Sequence, residues 1–384
     1  MERILIGTRK GTFIAEKVLR RWRPRLAGHA GVGVNFVSRD PSTSNLWALL
    51  GHGHWGAKLS CSVDGGQTWE DAPQIKYPEG ARYIGHEMPD ETGEAGTLVK
   101  PATLLKLWYM AFGPDGSQYI GTIPGGLFVS RDGGKSFELN RPLWNHESRG
   151  GDLFAGEGTG KTHWFGTPAS EGGEFAPGIH SISVDPRDPR RLLVAISTAG
   201  VLETTDGGLT WRGRNKGMLN DYLPDPAAEW GHDPHFIERS AGDPDRVWQQ
   251  NHSGVFFSRD SGASWTRVSA PDLGVHFGFP VAVDDKDGEV AWLVPGKADN
   301  ARMAIDGGLF VARTQDGGER WEQLREGLPQ DCAHDVVYRH ALDSAGDLLA
   351  FGSTTGNLYV SENRGESWFF VATNLPPIYS VRFG

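Results

Sequence analysis

Apolar and polar residues alternate along nearly the whole chain in short runs, each closed by Gly, Pro, Asp or Asn. Ile-His-Ser-Ile-Ser-Val-Asp-Pro (179–186) is followed, after an Asp-Pro-rich turn, by Arg-Leu-Leu-Val-Ala-Ile-Ser (191–197). A period of two with turn residues at both ends predicts strands that bury one face. Two further runs, Gly-Val-Phe-Phe-Ser (254–258) and Gly-Leu-Phe-Val-Ala (308–312), lead into copies of one short pattern. That pattern, Ser/Thr-x-Asp-Gly-Gly-x-Ser/Thr-Trp, occurs six times: SVDGGQTW (62–69), SRDGGKSF (130–137), TTDGGLTW (204–211), SRDSGASW (258–265), TQDGGERW (314–321) and SENRGESW (361–368). In the last two, Arg320 replaces the hydroxyl residue and Asn363 replaces the Asp.

Each copy reads as a hairpin turn. The Asp accepts hydrogen bonds from the amides that follow it, the glycines supply positive φ, and the aromatic residue starts the next strand with a ring large enough to wedge between sheets. Successive Asp positions (Asn363 in the last copy) stand 68, 74, 54, 56 and 47 residues apart, room for a four-stranded sheet plus loops. Six copies predict six sheets. Strand-like material is left at both ends: Ile-Tyr-Ser-Val-Arg-Phe (378–383) against Arg-Ile-Leu-Ile-Gly-Thr (3–8), Gly-Thr-Phe-Ile-Ala-Glu (11–16) and the Trp22 region. Pairing these makes a seventh sheet and removes the exposed edges of an open ring. The expectation is one all-β domain over residues 1–384, a seven-bladed β-propeller closed by its terminal strands, with long loop insertions at about 71–105 and 139–178.

Composition agrees with many short strands: 53 Gly, 23 Pro and 14 Trp in 384 residues. A formal net charge of −10 argues against nucleic-acid or anionic-membrane partners, which would repel the chain at long range. Cys61 and Cys332 are far apart and outside any CxxC spacing, so they indicate neither a disulfide framework nor a zinc knuckle and read as small buried hydrophobes. The N-terminus runs straight into a strand without an apolar signal core, and the expected location is cytoplasmic.

The six-fold pattern resembles the bacterial neuraminidase (BNR) or Asp-box repeat, and the whole chain resembles bacterial BNR-propeller proteins described as sialidase-like or glycosyl-hydrolase-like. The segments GTRKGTF (7–13), GHEMPDETG (85–93), YLPDP (222–226), QQNHSG (249–254) and LPPIYSVR (375–382) extend that likeness over nearly the full length. Sialidases proper share only the box: they have six blades and an Arg-Ile-Pro segment that is missing from this chain. Photosystem-assembly propellers and xyloglucan-cleaving propellers carry similar boxes, so the repeat does not choose between enzyme and scaffold.

On the propeller reading the box turns share one face with the A–B turns, and the long insertions lie on the other. Most histidines go with the insertions: His52, His54 and His252 in B–C loops, and His29, His86, His146, His163, His232 and His276 in D–A loops. His180, His235 and His334 begin inner strands at the mouth of the channel, leaving His340 apart. Imidazoles titrate near neutrality and ligate metals in the neutral form, so a convergent set suits proton transfer or a divalent ion such as Zn, Mn or Ca. The candidate catalytic residues are His180, His235, His334, Asp233 and Asp335, with the three histidines as metal ligands and the aspartates orienting an imidazole or binding the ion. Substrate contacts are expected from Arg9, Lys10, His52, His54, Glu87, Asn251 and His252. Each histidine taken alone reads as a surface or hydrogen-bonding residue sooner than as a catalyst, and it is their grouping that favours chemistry.

Glu87, Asp90, Glu147, Asp152 and Asp233 are carboxylates that a glycoside hydrolase could pair, although sequence spacing does not give their separation. Trp55, Trp108, Tyr109, Trp144, Trp164 and Trp230 are candidates for stacking on sugar rings, with core packing as the competing role. GEGTGKT (156–162) lacks the spacing of a phosphate loop and reads as an ordinary loop. Together these features predict a hydrolase or lyase acting on a carbohydrate-like or small polar substrate, metal-assisted. The alternative is a non-catalytic scaffold that binds a glycan or protein.

Overall fold

A computed structural model describes residues 2–86, 97–154, 158, 162–164, 167–168 and 175–384. The chain is a seven-bladed all-β propeller, each blade a four-stranded antiparallel sheet. Blade 1 is Gly33–Arg39, Leu46–His52, Gly56–Ser62 and Glu70–Asp71. Blade 2 is Lys106–Phe112, Gln118–Ile123, Leu127–Ser130 and Glu138–Leu139. Blade 3 is Ile179–Asp185, Asp188–Ile196, Gly200–Thr204 and Arg212–Gly213. Blade 4 is Pro234–Arg239, Val247–Asn251, Gly254–Ser258 and Thr266–Arg267. Blade 5 is Gly278–Val283, Ala291–Pro295, Val311–Thr314 and Glu322–Leu324. Blade 6 is Leu342–Ala345, Leu348–Gly352, Leu358–Ser361 and Phe369–Ala372. Blade 7 joins the ends as expected: Ile378–Phe383 pairs with Arg3–Thr8, which pairs with Gly11–Val18 and so with Arg21–Gly28.

In blades 1 to 6 the fourth strand follows a turn of the repeated pattern, whose hydrogen bonds explain its residues. Asp64 Oδ1 accepts from the Gln67 and Thr68 amides at 2.9 Å each, and Oδ2 accepts from the Thr68 hydroxyl at 2.6 Å. The Ser62 hydroxyl donates to Asp64 and accepts from the Gly66 amide. The same bonds recur around Asp132 and Asp206, whose carboxyls are held down to about 2 by these hydroxyl and amide donors. In the degraded copies the bond is replaced rather than lost. The Arg320 guanidinium donates to Asp316 at 2.7 Å, and Asn363 donates to the Ser367 hydroxyl while accepting its amide. The box aromatics pack between sheets: Trp69 donates to Ala27 O at 3.0 Å and Trp321 to Val268 O at 2.8 Å.

By packing, the chain divides into two compact units. One comprises Met1–Leu50, Ser60–Glu70 and His235–Gly384; the other Gly51–Leu59 and Asp71–Pro234. The first unit's core includes Ile4, Ile6, Trp22, Trp292, Phe351, Ile378 and Val381. The second is built on Leu127, Trp164, Ile179, Val194 and Leu202.

Three expectations are corrected. The insertions at 71–105 and 139–178 are not loops throughout. Arg82–His86, Thr97–Pro101, Thr167–Pro168 and Phe175–Ala176 pair into an eighth four-stranded sheet, because strand-forming residues in both stretches satisfy each other's backbone groups. His334 does not begin a strand: it is exposed in an irregular stretch, and the first strand of blade 6 starts at Leu342. Cys332 is exposed rather than buried, at φ 53° in a turn.

Candidate functional site

The convergence of polar side chains centres on blade 4. Pro234 opens its first strand and places His235 on it as a buried side chain. The hairpin between the second and third strands is a tight turn, Asn251 pairing with Gly254, whose φ of 122° suits glycine. Asn251 shapes that turn: its Oδ1 accepts from the Ser253 amide at 3.0 Å and its Nδ2 donates to Gln249 at 2.6 Å. His252, at the tip, stands edge-on to His235 with ring centroids 5.6 Å apart. Asp233 stands two residues before His235 in the chain.

Chemistry fixes the His235 tautomer. Its Nδ1 lies 2.6 Å from the Gly278 carbonyl oxygen, which can only accept, so Nδ1 carries the proton and neutral His235 keeps its lone pair on Nε2. The ring stacks on Phe279 at 4.7 Å and meets Phe277 at 5.7 Å. Phe277, Phe279, Val336 and Tyr338 form a small apolar cluster of their own, and the Arg302 and Arg339 guanidinium groups lie 5.4 and 5.2 Å from the Phe279 ring. A neutral imidazole held by a backbone acceptor and facing a second imidazole can act as a general base or as a metal ligand.

The remaining expected residues are placed elsewhere. His180 is fully buried, edge-on to Trp108 at 5.1 Å. Asp335 is buried and accepts from Ser353, Thr355 and Asn357 at 2.5, 2.6 and 2.8 Å. Of the expected ligand set, His235 faces a different imidazole, that of His252, while His180 packs on Trp108 and His334 is exposed. Arg9 and Lys10 are exposed at the first hairpin of blade 7, where their backbones bond Pro377 and Gly31. His52 accepts the His54 and Trp55 amides at 3.1 Å each, folding a loop that leaves Trp55 exposed. Glu87 and Asp90 lie outside the described residues, as does most of 156–162.

Several histidines prove structural. His29 links Thr12 and Ser60, His146 caps its own turn through Ser148, and His232 bonds Ala228 O. Trp144, Trp164 and Trp108 are buried, whereas Trp230 is half-buried and stacks with His163 at 6.1 Å.

Sequence reasoning missed Phe277 and Phe279, which lie beyond the box and show no pattern of their own. It also missed a buried ionic group. Arg382 Nη1 donates to the His340, Leu342 and Val381 carbonyls, and its guanidinium stands over Phe36 and Phe236 at 5.4 and 5.5 Å. Burial raises the Glu238 carboxyl to about 8 and also raises that of Asp343, against the pull of Arg382.

No model of a known protein family matches the chain. A stretch covering 52% of it is 25% identical to an oligoxyloglucan-reducing end-specific xyloglucanase of Emericella nidulans, covering 26% of that protein. Another covering 50% is 28% identical to xyloglucanase Xgh74A of Acetivibrio thermocellus, covering 25% of it. The chain thus spans about a quarter of the length of these relatives. Among solved structures, an ancestral GH74 enzyme superposes with TM-score 0.55 at 15% identity, covering 88% of this chain and 38% of that one. YCF48 from Cyanidioschyzon merolae superposes with TM-score 0.50 at 16% identity over 93% and 87%. At such identities these two likenesses concern the fold.

Proposed function

We propose that the chain is a carbohydrate hydrolase whose general base is His235, with His252 beside it. The observation that carries the reading is His235, its tautomer fixed by Gly278 O, with Nε2 as the basic atom and a second imidazole 5.6 Å away. In this scheme Nε2 takes the proton of an attacking water. Phe277 and Phe279 provide an apolar wall, and Arg302 and Arg339 supply positive charge beside it. The distant similarity to two xyloglucanases supports a glycan as the substrate class.

The test measures turnover. Reducing-end release from xyloglucan oligosaccharides and other β-glucans is followed for the wild type, H235A and H252A. The expected result is turnover that falls at least ~100-fold in H235A and by a smaller factor in H252A. Unchanged turnover in both would remove the two histidines from the function. Tight glycan binding without turnover by the wild type would instead identify a binding scaffold.

A further inference from the structure

The unit comprising Gly51–Leu59 and Asp71–Pro234 buries a cation that no anion answers among the described residues. Arg149 ends the short turn Glu147–Arg149 and is 1% exposed. Its guanidinium lies between two buried indoles, 3.7 Å from the Trp144 ring and 4.8 Å from that of Trp164. Nη1 donates to the Gly125 carbonyl, while Nε and Nη2 are buried with no hydrogen-bond partner among the described residues. Among the described residues the ionisable group that acts on it is the buried Tyr77, whose hydroxyl is engaged by Thr122 and Pro124 O. Indole faces attract a cation but do not accept two in-plane N–H bonds, and a charge stripped of water without an opposite charge is costly. Burial pulls the Arg149 pKa down to about 9 against a smaller opposing effect of Tyr77.

The same chain shows what that edge of an arginine takes. Arg187 presents Nε and Nη2 to the two oxygens of Asp185 at 2.9 and 2.8 Å, and Arg190 presents them to Asp188 at 3.0 and 2.9 Å. The two donors without partners on Arg149 form this same side-on fork, whose spacing matches a carboxylate. We propose that Arg149 anchors a binding site for a small ligand bearing a carboxylate, such as a uronic acid, with Trp144 and Trp164 holding the guanidinium plane in position. The inference is independent of the centre in blade 4.

Because both indoles touch the guanidinium, ligand entry should perturb their emission. The full chain is titrated at constant ionic strength with sodium glucuronate and sodium acetate, with glucose and sodium chloride as controls, by tryptophan fluorescence and calorimetry. Saturable binding of the carboxylates but not of the controls is expected, and R149K, which keeps the charge but loses the fork, should bind at least ten-fold more weakly. Glucuronate binding more tightly than acetate would identify the sugar acid as the preferred source; equal affinities would mean that the carboxylate alone is recognised. If R149K does not fold, the wild-type titration still decides. Absence of saturable carboxylate binding to the wild type, binding no tighter than the controls, or equal affinity in R149K would overturn the proposal.

Discussion

Replacing Asp335 by Ala would leave the buried Ser353 hydroxyl, the Thr355 hydroxyl and the Asn357 side-chain amide without their shared acceptor. The expected cost is about 1–3 kcal/mol in urea unfolding, with glycan turnover unchanged. That outcome separates Asp335 from the centre at His235, although Asp233 and Asp335 look alike in sequence, each beside a histidine. Asp233 leads into a strand whose imidazole faces a second one across a hairpin, whereas Asp335 precedes an irregular stretch that places it against hydroxyls. Chain neighbourhood was therefore informative for His235 and His252, which belong to a single blade. It failed for His180 and His334, where burial against Trp108 in one case and the lack of a strand in the other depend on contacts from distant segments.

At the scale of elements the box turns were legible because each is local: Asp, hydroxyl and glycines bond within a few residues, and alternation fixes the strands around them. Gly66 shows how tight the device is. It sits at φ 86°, and a Cβ there would lie 2.6 Å from Ile14 Cδ1, so Gly66→Ala should destabilise by about 1–3 kcal/mol, measured by thermal and urea unfolding. Asn140 was not legible, because its role joins three elements. Its Oδ1 caps the helix Arg141–Trp144 through the Leu143 amide at 2.9 Å and accepts from Trp211 Nε1 at 3.0 Å, while Nδ2 donates to Gly208 O in the next blade's box turn. Loss of all three in Asn140→Ala should cost about 2 kcal/mol, and Asn140→Asp, which keeps both acceptor bonds, should recover more than half of it. The eighth sheet escaped prediction for the same reason: its two-residue strands Thr167–Pro168 and Phe175–Ala176 carry no period and are defined only by their partners.

At the scale of the whole molecule, the buried Glu238 carboxyl sets a pH dependence. Its pKa is raised from the ordinary glutamate range to about 8, so between those limits the folded state holds a proton that the unfolded chain has released. Stability should then decline as pH rises from about 5 to about 8, and Asp343, also raised, acts in the same sense. In E238Q the slope of unfolding free energy against pH should flatten across that window; an unchanged slope would exclude Glu238 as its source. Glu203 acts oppositely. Burial would raise it, but hydrogen bonds from Arg212 and Arg214 prevail and its pKa is lowered, so its contribution disappears as pH falls through the acid range.

Blade 7 has a consequence for how the protein is made. Its strand Arg3–Thr8 is synthesised long before Ile378–Phe383, the partner that covers its outer edge. At about 5–20 residues per second, that apolar edge waits for tens of seconds with half its backbone groups unanswered. During this interval the hairpin of residues 3–18 is a template for any stray β-segment, including the same segment on a neighbouring nascent chain. Yield in cells should therefore depend on whatever shields the early hairpin during translation, more than on the stability of the finished fold.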